Sequence, residues 1–342
     1  MAVDIFQTRV MLRALDQLYK PKMFLRDLFF TEVKTSNSRH VDIDIMKGKR
    51  RLAPYVSPLM EGKQVERIGF TTNSYEPPYV KPKMVTTATE FLNRSMGEHI
   101  YEGNKTPAQR AREALGKDLS TLNEEIDRLE ESQAAAALDG GVITCVGDGV
   151  NATIDFGMAA THKITLTGND LWTDETNANP LLNLNTWKRL IAKDSGLVPD
   201  TVIMGETAWD NFIKHPKVRT ALDTRRIDLG IIDPRTLPNG AQYMGTLKEV
   251  NVDVYTYDEW YLNSSAVLTP MVNVKKVLMG CTKARAIRHY GAIQDLQALA
   301  SVSRFPKSWT KEDPSVRYVM IQSAPLMGLH QVDAFVTAQV IA

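Results

Sequence analysis

Cysteine is scarce. Cys145 and Cys281 are the only two in 342 residues, they lie far apart, and neither belongs to a C-x-x-C pair. A disulfide framework is therefore excluded, and free thiols in a reducing compartment are expected. Neither sign of charge is in excess, with 41 Lys/Arg against 40 Asp/Glu and a net +1. That balance argues against a dedicated duplex-DNA binder, which carries a clear basic surplus. No stretch approaches the ~20 consecutive apolar residues of a membrane span. The opening MAVDIFQTRVMLRALDQLYK places Asp4, Arg9, Arg13 and Asp16 where a signal peptide needs an apolar run. Catalytic signatures are missing too. There is no G-x-x-x-x-G-K-[ST], no G-x-S-x-G and no H-E-x-x-H. His40, His99, His162, His215, His289 and His330 are scattered, with none at metal-ligand spacing. No cofactor or metal is implied, although motif arguments leave open an active site assembled from distant residues.

What is present is a chain 43% hydrophobic and 24% charged. It is long enough to bury a large core, and two domains are expected. Residues 3–19 carry Val10, Met11, Ala14, Leu15 and Leu18 at helical spacing, followed by the apolar cluster MFLRDLFF (23–30). VDIDI (41–45) alternates as a strand with one wet face, and the basic run KGKRR (47–51) follows. From 41 to 92 proline and alternation dominate, so a projecting arm or long hairpin is expected. Within it, YEPPYVKPKM (75–84) interleaves Pro77, Pro78 and Pro82 with Tyr75, Tyr79, Lys81 and Lys83. Proline fixes φ and removes a donor, so this piece reads as extended and polyproline-like. On residues alone it suits a proline-reading domain, single-stranded nucleic acid, or a grip on a second copy of the chain.

The clearest element is 107–138. Thr106, Pro107 and Gln109 form a capping-box signature with proline at its preferred first position. Leu115, Leu119, Leu122, Ile126 and Leu129 then repeat at intervals of four and three, and Gly140-Gly141 stops the helix. So narrow a seam suits a helix laid across a sheet, with its other faces in water or against other subunits. Gly147, Gly149 and Ala152 match G-x-G-x-x-A, but the strand-like Thr153–Phe156 follows where a dinucleotide site needs a helix. A hairpin is expected there. Beyond about 181 the texture is α/β. Helices are expected at LLNLNTWKRLIAK (181–193) and ETAWDNFIKH (206–215), and strands at TVIMG (201–205), VDVYTY (252–257) and VLMG (277–280). Strand-like YVMIQSAPLM (318–327) and AFVTAQVIA (334–342) close the chain, with Pro325 marking a bulge or edge.

Charge is uneven. Residues 1–51 hold 11 Lys/Arg and 6 Asp/Glu, a balance of +5, whereas 107–138 hold 4 and 7, a balance of −3. KGKRR suits nucleic acid, an anionic surface or a solvated turn, and pairing with the acidic helix is favoured because the whole chain is neutral. The expected pairing sets Lys47, Lys49, Arg50 and Arg51 against Glu124, Glu125, Asp127, Glu130 or Glu131 of a neighbour.

The stretches RLAPYVSPLMEG (51–62), YVKPK (79–83), LDTRR (222–226), RAIRHYGAIQD (285–295), RFPKSW (304–309) and YVMIQSAPLM (318–327) resemble the lambda-type major capsid protein family of tailed bacteriophages, in the same order. The resemblance implies an α+β HK97-like capsid fold. Its parts map to an N-terminal arm (1–40), an extended E-loop (41–92), a peripheral domain (93–168 and 312–342) with spine helix 107–138, and an axial domain (169–311). It further implies a non-enzymatic head protein, assembled as hexamers and pentamers around DNA that it does not bind specifically. Assembly is expected in the bacterial host cytoplasm and the final location in the virion. A separate scaffolding protein, a decoration protein and a portal at one vertex are the implied partners. Tyr75, Pro77, Pro78, Tyr79, Lys81 and Pro82 are expected to run up one side of the E-loop over an adjacent subunit. No crosslinking triad is identifiable. The alternatives are an α/β enzyme or nucleotide-binding protein with a proline-rich arm, or a tail-tube or portal protein.

Overall fold

The computed structural model describes residues 6–18, 23–46, 52–64, 70–87, 106–223, 232–237, 239–263, 265–298 and 301–342. Six helices organise them. They are α1 (Thr8–Gln17), α2 (Phe24–Phe29), α3 (Pro107–Gly140), α4 (Pro180–Asp194), α5 (Glu206–Lys214) and α6 (Pro216–Asp223).

Short strands that are apolar at nearly every position need cover on both faces. Thr201–Met204 and Lys276–Gly280 are of this kind, and they lie inside a seven-stranded mixed sheet. Its order is Lys163–Thr165, Phe335–Gln339, Lys276–Gly280, Thr201–Met204, Val252–Tyr257, Ala241–Leu247 and Ile232–Thr236. Alternation sends Val202, Met204, Val277, Met279 and Val336 to one face, where Trp172, Leu184, Trp187 and Phe212 cover them. Ile203, Leu278 and Phe335 point to the other face, into a second cluster with Phe24, Phe29, Ala134 and Leu138. That second cluster joins the sheet to α2 and to the C-terminal half of α3.

α3 forms as its caps dictate. The Thr106 hydroxyl accepts from Gln109 N–H at 3.3 Å, and Gln109 Oε1 accepts from Thr106 N–H at 2.9 Å. Gly141 closes the helix at φ 69°, and a Cβ there would sit 2.8 Å from Met158 Cβ, so conformation and space both require glycine. The N-terminal half of α3 lies over a three-stranded sheet, Phe305–Lys311, Val316–Gln322 and Lys83–Thr87. Leu115, Leu119, Leu122 and Ile126 pack there against Val319, Ile321 and the α1 residues Met11 and Leu15.

The G-x-G-x-x-A stretch is a hairpin, Val142–Gly147 paired antiparallel with Val150–Asp155. Pro325 is the first residue of strand Pro325–Leu329, where no upstream ladder bond is lost. Immediately before it the chain leaves the three-stranded sheet and pairs with Ala286–Tyr290, which also binds Glu32–Thr35 in parallel.

Candidate assembly surfaces

Val41–Met46 pairs antiparallel with Phe70–Tyr75, Val41 facing Tyr75 and Met46 facing Phe70. Val41 and Ile43 are buried while Asp42 and Asp44 face solvent, as the alternation requires. Between the two strands, residues 52–64 are exposed throughout. Leu52 is 96% exposed, Tyr55 105%, Leu59 96% and Met60 71%. Large apolar side chains left this exposed along one run of chain are candidates for an interaction surface. Lys47, Lys49, Arg50 and Arg51 lie outside the described residues.

The stretch 75–84 is fastened to its own subunit. The Tyr75 hydroxyl donates to Asp155 O at 2.7 Å, and its ring meets Phe156 at 5.7 Å. Pro77 is buried against Gly291, and the Tyr79 hydroxyl donates to Gln322. Val80 exchanges two main-chain bonds with Ser323, at 2.8 and 2.9 Å, and Pro82 O accepts from Ile321 N–H. Pro78 and Pro82 flank these bonds without interrupting them, so the prolines preset an extended path that enters the strand Lys83–Thr87. Lys81 remains exposed.

A correction concerns the acids of α3. Glu124 and Glu125 are exposed as expected, but Asp127 is 3% exposed and Glu130 and Glu131 0%. Their cations are intramolecular. Arg26 of α2 donates to Asp127 and, at 2.9 Å, to Glu130. Arg304 donates to Asp127 at 2.7 Å and to Glu130 at 3.2 Å. The Tyr290 hydroxyl adds a bond to Glu130 at 3.0 Å. Glu131 accepts the main-chain N–H groups of Leu25 and Arg26 at 2.7 and 2.9 Å, which fixes the start of α2. Burial opposes the Arg26 charge, but Glu130 and Asp127 outweigh it and hold the guanidinium above its ordinary range. Burial pushes the Glu131 carboxyl up, against the pull of the Arg26 and Leu25 N–H groups. Of the basic residues in 1–51, Arg26 is the one shown on these acids, and it pairs with them within its own subunit. Asn123, Asp127 and Glu130 follow helical spacing on one stripe. That was the available signal, set against the rule that carboxylates stay in water unless paired.

A histidine pair was not legible. His289 and His330 are both buried, their Nε2 atoms 3.1 Å apart. His330 Nδ1 lies 3.0 Å from Asp44 O, so the pair ties Ala286–Tyr290 to the root of the exposed loop. Burial first, then the neighbouring His330 ring and the cations Lys34 and Arg285, depress His289 to about 4, with Glu32 opposing. Burial also lowers His330. One ring must donate and the other accept, so the neutral pair is the folded form. The unfolded chain takes the proton near the ordinary pKa of ~6.5, before the folded one does. Stability from His289 is therefore complete above that value and is lost as pH falls toward about 4. Urea unfolding between pH 7 and pH 4 is expected to show a loss of about 3 kcal/mol from this group, and His289→Gln should flatten that part of the profile. Identical profiles for the two proteins would refute the assignment.

Among the described residues, no group of three or more His, Cys, Asp or Glu is placed to hold a metal, and no helix is long and apolar enough to cross a membrane.

The profile of the family described as phage major capsid protein E matches residues 7–340. The chain is 32% identical over 351 residues to the P21 prophage-derived major head protein of Escherichia coli O6:H1 strain CFT073, covering 99% of this chain and 100% of that one. It is 29% identical over 348 residues to the major capsid protein of Escherichia phage lambda, covering 98% and 99% respectively. In fold it is similar to a prophage capsid protein of E. coli CFT073, with a TM-score of 0.75, 20% identity and coverage of 98% and 99%. The capsid of Ralstonia phage GP4 has the same fold at a TM-score of 0.53, with 13% identity and coverage of 95% and 93%. A match running from the first helix to the last strand, on a fold shared with phage capsid subunits, makes this chain a member of the phage major capsid protein E family, a structural class and not an enzymatic one.

Proposed function

We propose that the chain builds the icosahedral head of a tailed phage as hexamers and pentamers, enclosing the genome without specific DNA contacts. The family match across residues 7–340 carries this reading. The exposed apolar segment 52–64 supports it, because burial of each Leu, Met or Tyr there against another subunit would contribute about 1.5–3 kcal/mol. In this reading residues 1–40 are the arm, 41–92 the E-loop, 93–168 and 312–342 the peripheral domain with its spine helix, and 169–311 the axial domain. Tyr75, Pro77, Pro78, Tyr79 and Pro82 anchor the E-loop root. Lys47, Lys49, Arg50 and Arg51 meet acidic surface on a neighbour, for which Glu124 and Glu125 are the exposed helix acids. A separate scaffolding protein directs assembly in the host cytoplasm, a decoration protein reinforces the shell, and a portal occupies one vertex.

Co-expression with the scaffolding protein, followed by electron microscopy, is expected to show closed shells. A small monodisperse oligomer under every such condition would overturn the reading.

A further inference from the structure

Asn239-Gly240 is the only Asn-Gly pair in the 342 residues. It lies in the turn between Ile232–Thr236 and Ala241–Leu247, at the edge of the seven-stranded sheet. The turn is held from both sides. Leu237 N–H donates to Ala241 O at 2.8 Å, and Ala241 is fully buried opposite Tyr257. Gly240 is exposed at φ 76°, a left-handed conformation that glycine adopts without strain. No side chain shields its N–H, and among the described residues nothing accepts from that N–H. The Asn239 carboxamide is unrestrained at its oxygen, because Oδ1 is buried without a hydrogen-bond partner. Buried acceptors are nearly always paired, so the open Oδ1 sets this turn apart.

An acid completes the arrangement. Glu259 Oε2 lies 2.7 Å from where a Cβ on Gly240 would sit. The Glu259 main chain is fixed in turn by Met271, whose N–H donates to the Glu259 carbonyl at 2.8 Å. A carboxylate therefore stands beside the glycine backbone, within reach of its N–H directly or through one water.

We propose that Asn239-Gly240 is a site of self-modification, in which the Gly240 nitrogen attacks Asn239 Cγ and Glu259 acts as the base. The proton leaves Gly240 N for the Glu259 carboxylate as the N–Cγ bond forms. The Cγ–Nδ2 bond then breaks, and that nitrogen departs as ammonia with the proton from Glu259. The cyclic succinimide left behind takes up water at either carbonyl. Opening at the main-chain carbonyl gives isoaspartate, and opening at Cγ gives aspartate. No oxidant or reductant takes part. Either product puts a second carboxylate beside Glu259, and isoaspartate lengthens the main chain of the turn by an atom. The change is irreversible, so it accumulates with the age of the subunit.

The test is incubation of the full chain at neutral pH in water enriched in heavy oxygen, with mass spectrometry of the peptide spanning 236–248. The folded chain is expected to take up heavy oxygen at residue 239 and to show isoaspartate and aspartate together. It should do so about ten-fold faster than the same chain unfolded in guanidinium chloride, a smaller gain than a base in direct contact supplies. Glu259→Gln should remove that advantage and leave the unfolded rate unchanged, with circular dichroism melting as the control for folding. Asn239→Gln should give no product. Conversion no faster in the folded chain than in the unfolded one would overturn the proposal, and that comparison needs no variant. A folded Glu259→Gln chain that converts as fast as the parent would overturn it too. Aspartate as the sole product would mean direct hydrolysis by water and would overturn the cyclic route.

Discussion

Arg26→Met is expected to cost about 3–5 kcal/mol of subunit stability, because it strands buried carboxylates without their cation. Asp127, Glu130 and Glu131 are 3% exposed or less, and among the described residues Arg304 would be the cation left on the first two, with the neutral donors Asn123 and Tyr290 beside it. The methionine fills the aliphatic path of the arginine, so the loss measures charge more than packing. α2 should loosen with it, because its first N–H groups are held by Glu131 beside the stranded carboxylates. Adding Glu130→Met to Arg26→Met should recover part of the loss, since two neighbouring groups in one network do not act additively. Urea denaturation of the purified subunit reads both values. A single-variant loss below about 1 kcal/mol would put the pair in the class of exposed salt bridges and refute the buried network. By the same argument Glu130→Lys or Glu131→Lys should unfold the subunit, whereas Glu124→Lys and Glu125→Lys should leave its stability nearly unchanged.

Deleting residues 75–84 is expected to abolish cooperative unfolding of the subunit. The stretch ends one ribbon strand, buries Pro77, exchanges main-chain bonds with Ser323 and delivers strand Lys83–Thr87 to the sheet beneath α3. Each of these features would be lost at once. Serine at Leu52, Tyr55, Leu59 and Met60 together should act in the opposite way. Those side chains touch little in the subunit, so its melting temperature should hold while shell formation is lost. Circular dichroism melting with electron microscopy of the same samples separates the two outcomes. A deletion variant that melts cooperatively near the parent temperature would mean the stretch is a free arm after all.

Both results turn on one difference between what is local and what is not. The cap at Thr106, the glycine stop and the leucine seam of α3 are interactions within a few residues of each other, and they were legible in the sequence. The same holds for the alternation of VDIDI, for the hairpin at Gly147–Gly149 and for the family resemblance carried by RLAPYVSPLMEG and RAIRHYGAIQD. The proline pattern of 75–84 correctly gave an extended backbone. It was silent on what that backbone touches, because φ restriction fixes a path and not a partner.

What the sequence by itself determined was therefore the set of elements, the balance of charge and the membership of a capsid family. Tertiary structure alone decided which charges are inside. Arg26 meets Asp127 and Glu130 across about a hundred residues, and Arg304 reaches the same acids from the far side of the chain. His289 finds His330 only because two strands pair in one register. A side chain's chemistry is written in the chain, but its solvent and its counter-charge are set by packing between distant segments.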